Sequence, residues 1–316
     1  MKKLHSLFLL LLACTLPAYS QVVDPGVPLV TIAEGPIKGL VRNADGTVLM
    51  TIMGVPVILN ANTRVRTPMA VLTFNQLMSI TKMPGRNQRG FMNGTALARG
   101  FQDANGVMTA VDVLVQPAEN VVVGMITKNS GGLLEMNQMP VKFCMDARMP
   151  SRGAMNGFAI PIDLASVTVG STASVEGYYD DASTFQSINL YIDTLAPPLS
   201  RAPQVAFIVT RAVENIPNTK KGDTLDIRGG VTFFHDKAAL TQSINLYRID
   251  NNVATFLGSA VATRSLVYPD YGLWRFNGTT FPTADPVLGN APTVIRAVNT
   301  SAGANMAFTE DIVDVR

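Results

Sequence analysis

Few residues in this chain are equipped for nucleophilic or acid–base chemistry. It has two cysteines, Cys14 and Cys144, and two histidines, His5 and His235. A Cys-His or Ser-His dyad outside the first twenty residues would have to use His235. His235 lies in "FFHDKAAL" and reads as a surface turn histidine. Cys144 lies in "VKFCMDAR", a strand-like run in a different expected domain, where the natural role is a small buried hydrophobe. The adjacent carboxylates Asp180 and Asp181 sit in an expected turn, where neighbours point apart, so they read as solvated turn residues and not as an acid–base pair. No metalloprotease, nucleophile-elbow or P-loop string occurs. The expectation is therefore no catalytic, cofactor-binding or metal site. The competing feature is a run of methionines, Met136, Met139, Met145, Met149 and Met155, with Cys144 among them. Thioether and thiolate groups select Cu(I). Met50 and Met53 recur at comparable places earlier in the chain, which favours flexible core filling.

Residues 1–20 read as a secretory signal peptide: Lys2 and Lys3, an apolar Leu4 to Ala13, then the small-residue site Ala18-Tyr19-Ser20. The mature chain would start at Gln21. The rival is a lipobox, "LLAC", that leaves Cys14 lipidated. Without residues 1–20, 23 basic residues face 23 acidic ones. That balance, with no Lys/Arg cluster, argues against nucleic acid and against electrostatic membrane binding. No later apolar run is long enough to span a bilayer. With Cys144 alone, no intramolecular disulfide can form, so the fold rests on its apolar cores.

Residues must be positioned by elements, and the elements follow a pattern that occurs twice. "GPIKGLVRNADGTVLM" from Gly35 and "NVVVGMITKNSGGLLEM" from Asn120 each give a strand ending near a glycine (Gly39, Gly124), a polar turn and a second apolar run. Both copies then show a Pro-Val step (Pro56-Val57, Pro140-Val141), an Arg-x-Pro step (Arg66 to Pro68, Arg148 to Pro150) and a closing hairpin. Strands are expected near 36–42, 47–53, 55–60, 94–102 and 107–115. In the last, Val111, Val113 and Val115 would share one face and Asp112 the other. Helical spacing of Val71, Phe74, Leu77, Met78 and Thr81 predicts a helix over Pro68 to Lys82, with an internal capping box Thr73-x-x-Gln76. Three strands, a helix and a hairpin are the order of an OB-fold barrel. On these residues the chain resembles secreted bacterial proteins with tandem, uncharacterised OB-like repeats, over 35–117 and, less closely, 118–194. In the second copy "SRGAMNGFAIPIDLASVTVG" supports at most a turn of helix. That barrel is either open there or plugged by a loop.

A leader occupies 21–34, and the proline-rich 195–203 ("LAPPLSRAP") reads as an exposed linker. Over 204–316, "GDTLDIRGGVTF", with Leu225, Ile227, Val231 and Phe233 on one face, opens about seven strands, which predicts a β-sandwich. Trp274 alternates there with Phe276. The Gly-Asp-x-Leu strand, the Gly-x-Trp strand and the Ala-Val-Asn-x-x-x-Gly turn make the segment similar to bacterial immunoglobulin-like modules of surface proteins. "QSINLY" occurs at Gln186 and again at Gln242, either by coincidence of two strand sequences or as the trace of a partial third repeat.

The functional expectation is an exported, non-enzymatic structural or interaction protein of the cell envelope or extracellular matrix. Its partner would be a protein or an envelope glycan, with self-association as a further contact and no nucleic acid. The alternative is a periplasmic small-ligand or Cu(I) binder using the second barrel.

Overall fold

The computed structural model describes residues 29–194, 196–213, 222–280 and 290–315. The expected signal peptide, the Cys14 of the rival lipobox and residues 21–28 of the expected leader lie outside the described residues; the rest of that leader, 29–34, is not a leader but the start of the first strand. What is described is nearly all β, in three sheets.

The first unit runs β1 (Leu29–Arg42), β2 (Val48–Ile52), β3 (Val55–Leu59), β4 (Arg64–Arg66), α1 (Phe74–Leu77), β5 (Thr95–Gln102) and β6 (Met108–Gln116). Its order β3-β2-β1-β5-β6 closes on itself through a parallel pair, Val57 with Met108 and Ile58 with Thr109. The long β1 makes this ring possible, because its first half pairs with β5 and its second half with β2. Gly39 therefore lies inside the strand, not at its end. The alternating residues Val48, Met50, Ile52, Val57, Leu59, Val113 and Val115 fill the interior.

Two expectations fail here for local reasons. The helix is one turn, with the Thr73–Gln76 capping box in place, and does not start at Pro68. Upstream, the Thr67 hydroxyl takes the Met69 and Ala70 amides, and Val71 bridges back to Arg66, so that stretch is committed to a turn. Val111 does not join Val113 and Val115: the ladder slips between Arg99 and Gly100, which pair with Asp112 and Ala110. Val111 is the extra residue of a bulge.

The second unit runs β7 (Asn120–Ser130), β8 (Leu133–Met136), β9 (Met139–Phe143), β10 (Ala154–Met155), β11 (Thr172–Tyr179) and β12 (Phe185–Ile192). It repeats the connectivity, β9-β8-β7-β11-β12, closed by the parallel pair β9–β12 with Val141 opposite Phe185. The barrel is thus closed, and Gly124, like Gly39, is mid-strand. In both barrels the Pro-Val step supplies the first strand of the parallel closure. A three-residue 3-10 turn at Leu164–Ser166 occupies the helix slot.

The third unit runs β13 (Val205–Val213), β14 (Thr224–Thr232), β15 (Thr241–Asp250), β16 (Val253–Arg264), β17 (Tyr271–Thr279), β18 (Val294–Asn299), β19 (Phe308–Ile312) and β20 (Asp314–Val315). The order is β19-β18-β15-β16-β17-β14-β13-β20. β16 and β17 meet at only two residue pairs, Thr263–Leu273 and Arg264–Gly272. The sheet folds over at that corner, because Leu225, Ile227, Val231 and Trp274 on one side share a core with Ile244, Leu246, Ile295 and Ala297 on the other. β13, absent from the expected strands, pairs with β14 throughout its length. The first "QSINLY" is the closing strand of barrel two and the second is β15.

The units are seamed together. The expected linker is mostly exposed but pinned: Asp163 donates its amide to Pro197, Leu199 donates to Pro161, and Pro198 bridges to Ile162. Phe158 stacks on Tyr271 at 5.0 Å, and its carbonyl would lie 2.0 Å from a Cβ on Gly230, so only glycine lets the chains approach there.

Candidate functional site

Cys144 is 1% exposed and sits between the two barrels, in one apolar cluster with Met149, Tyr178 and the core of barrel one. Its sulfur lies 3.9 Å from the Tyr178 hydroxyl, which donates to the Pro84 carbonyl at 2.9 Å. Burial pushes the Cys144 thiol up and the Tyr178 phenol up as well. A thiol held protonated and covered is a poor nucleophile. Iodoacetamide at about pH 8 should leave it intact in the folded protein and label it on denaturation; rapid native labelling would contradict this placement.

The carboxylate pair is structural, and one half of it is not solvated. Asp180 is 6% exposed; its Oδ1 accepts the Ala182 and Thr184 amides, and its Oδ2 accepts Gln186 at 2.7 Å. Asp181 reaches the other barrel, where its Oδ2 accepts the Asn87 amide. His235 is half-buried beside Gly303, and burial pushes its imidazole down. It shares no contact with Cys144. The methionines are dispersed: Met136 is in the core of barrel two, Met149 is in the barrel–barrel seam, Met155 is in the seam to the third unit, and Met145 is 88% exposed. Among the described residues no group of three His, Cys, Asp or Glu is gathered as if for a metal ion.

Charge collects at the seams, which the sequence did not announce. Asp112, expected on an outer face, is 2% exposed. Arg64 donates to its Oδ1 at 2.5 Å, and Arg66 grips both oxygens at 3.3 and 3.1 Å. Arg64 also donates to the Ala291 carbonyl of the third unit. Burial alone would raise the Asp112 carboxyl, but the two guanidinium charges outweigh it and hold it below the usual range. Arg148, from the second Arg-x-Pro step, is likewise buried and pairs with Asp146 at 2.6 Å. The repeated step thus marks a buried arginine in each barrel. A third pair, Arg152 with Asp311, joins barrel two to β19, and Thr210 donates to the same carboxylate at 2.6 Å. Burial pushes the Asp311 carboxyl up against the Arg152 charge that lowers it.

Where the three units meet, a cleft of about 630 Å³ opens. Barrel one contributes Arg66 and Gln116, barrel two Arg152, Glu176, Asn189 and Tyr191, and the third unit Arg211, Asp311 and Asp314. Glu119, on the link between the barrels, borders it and accepts from Gln116 at 3.0 Å.

No family model matches the chain, and no curated protein matches it. The fold and its seams define an all-β protein of small barrels, and no helix among the described residues is long and apolar enough to cross a membrane.

Proposed function

We propose that this is an exported, non-enzymatic interaction protein of the cell envelope or extracellular matrix, which captures a protein partner by strand addition along β16. One observation carries the reading. From Val253 to Ala262, β16 pairs with β15 on one side and, among the described residues, with no strand on the other. An edge of that length is normally guarded by charge, proline or a cover. "VATFLGSAVAT" (253–263) has neither charge nor proline, and Val253, Phe256 and Val261 are 63%, 50% and 62% exposed. Unpaired backbone groups flanked by apolar side chains are what an added strand uses.

The finer architecture agrees with this reading. The twice-used ring, closed by a parallel first-half to last-strand pair, supports two OB-like barrels in tandem. In the third unit, β13, β14 and β17 face β16, β15, β18 and β19 across one core, which supports an immunoglobulin-like sandwich. The buried Cys144 and the half-buried, isolated His235 support a non-enzymatic role. The dispersed methionines lend nothing to copper binding.

The test is retention by the native envelope fraction. Val261→Lys and Phe256→Lys place charge on an exposed edge and should leave folding intact while weakening capture about tenfold or more, roughly 1.4 kcal/mol. Undiminished capture by both variants would exclude β16.

A further inference from the structure

We propose that the cleft between the three units is a second binding site, for a neutral, hydroxyl-rich ligand: a short oligosaccharide. The cleft falls within the range of about 300–1,000 Å³ usual for ligand sites, and, like many of them, it lies between domains.

The charge pattern selects the ligand class. Every arginine that lines the cleft already faces a carboxylate: Arg66 faces Asp112, Arg152 faces Asp311, and Arg211 lies 3.9 Å from Asp314. The Arg66 and Arg152 guanidinium groups are taken up by their carboxylates, and Arg211, whose Nε keeps a free donor for a hydroxyl, has the Asp314 charge beside it, so an anion would meet a carboxylate wherever it met a guanidinium. Glu119 and Glu176 are answered by the amides of Gln116 and Asn189, so they repel an anion further. A purely apolar ligand would bury this polar wall without partners, which costs free energy. A neutral ligand of many hydroxyls avoids both penalties, because each hydroxyl donates and accepts. Carboxylates, amides and guanidinium groups present paired atoms that suit adjacent hydroxyls.

A second observation points the same way. Asn189 is 8% exposed and lines the cleft. It donates through Nδ2 to Glu176 at 2.9 Å, while its buried Oδ1 accepts from no protein group. A buried acceptor without a donor is uncommon and calls for one. A ligand hydroxyl supplies it. Met69, Ile188 and Ile208 add apolar lining for the C–H faces of a sugar ring.

The cleft and β16 share no residue, so either assignment can fail without the other. The full mature chain should be titrated by calorimetry and ligand-observed NMR with short neutral hexose and N-acetylhexosamine oligomers, and with a sulfated oligomer for comparison. At least one neutral oligomer should bind saturably with Kd below about 1 mM. Glu119→Ala, at an exposed position, and Arg211→Gln, at a half-exposed one, should each weaken it about tenfold with unchanged Tm. Val261→Lys should bind sugar as the parent does. Absence of saturable binding by every neutral oligomer, preference for the sulfated one, or equal binding by both cleft variants would overturn the proposal.

Discussion

Asp112→Ala should destabilise the protein by about 3–5 kcal/mol, because it leaves Arg66 buried without its counter-charge. Arg66 is 1% exposed, and both of its contacts to Asp112 would vanish at once. Arg64 would lose its 2.5 Å partner while still tied to the Ala291 carbonyl, so the seam to the third unit should loosen with it. Urea unfolding followed by circular dichroism measures the loss. A companion variant separates the cost of a stranded charge from the worth of the pair: Arg64→Met, Arg66→Met and Asp112→Leu together should recover most of it. The pH dependence has a definite sign. The folded Asp112 carboxyl titrates below its ordinary 3.8, so its contribution is complete above that value and is lost as pH falls through the folded one. The acid limb of the stability curve should therefore be shallower in the apolar triple variant. A loss under about 1 kcal/mol for Asp112→Ala would mean that water reaches the seam.

Trp274→Ala should cost about 3–5 kcal/mol as a core truncation. The indole is 3% exposed, lies edge-on to Phe207 at 5.6 Å, and donates from Nε1 to the Gly230 carbonyl at 3.1 Å. Its six-membered ring lies where a Cβ on Gly229 would approach to 2.3 Å, so the sequence keeps a glycine opposite the one tryptophan. Trp274→Phe should lose less, since it keeps an aromatic ring and gives up only the hydrogen bond and part of the volume. Chemical denaturation of the three proteins should rank them parent, Phe, Ala. If Ala and Phe are equivalent, packing around the ring is not what holds the third unit together.

The strands were legible because their signal is local. Alternation with period two, broken by glycine and asparagine turns, marked most of the long strands, but the short β4 and β10, the strand β13 and the first part of β1, read as leader, were not expected. The Asp103–Gly106 turn and the Thr73–Gln76 capping box were also readable from neighbours alone. The helix over Pro68 to Lys82 was overread for the same reason. Apolar spacing of about 3.6 is present, but the Thr67 hydroxyl and the Val71 bridge, set by β4, take the backbone first. Val111 was misplaced because a bulge shifts register without changing composition.

The sequence by itself determined an all-β chain and near-neutral charge once residues 1–20 are set aside. These follow from residue type and short-range period, which act on the chain before any long-range contact forms. Only the tertiary structure decided which polar residues are interior. Asp112 and Asp180 read as outward or solvated because their own strands and turns place them outside a barrel, and that is where they are. They are buried because residues distant in sequence cover that outer face: Arg66, 46 positions away on β4 of the same barrel, lies over Asp112, and Gly85 of barrel one packs against the Asp180 carboxylate. The cleft has the same origin: Gln116, Asn189 and Arg211 come from three different sheets, so no window of sequence contains it, and it exists only where those sheets meet.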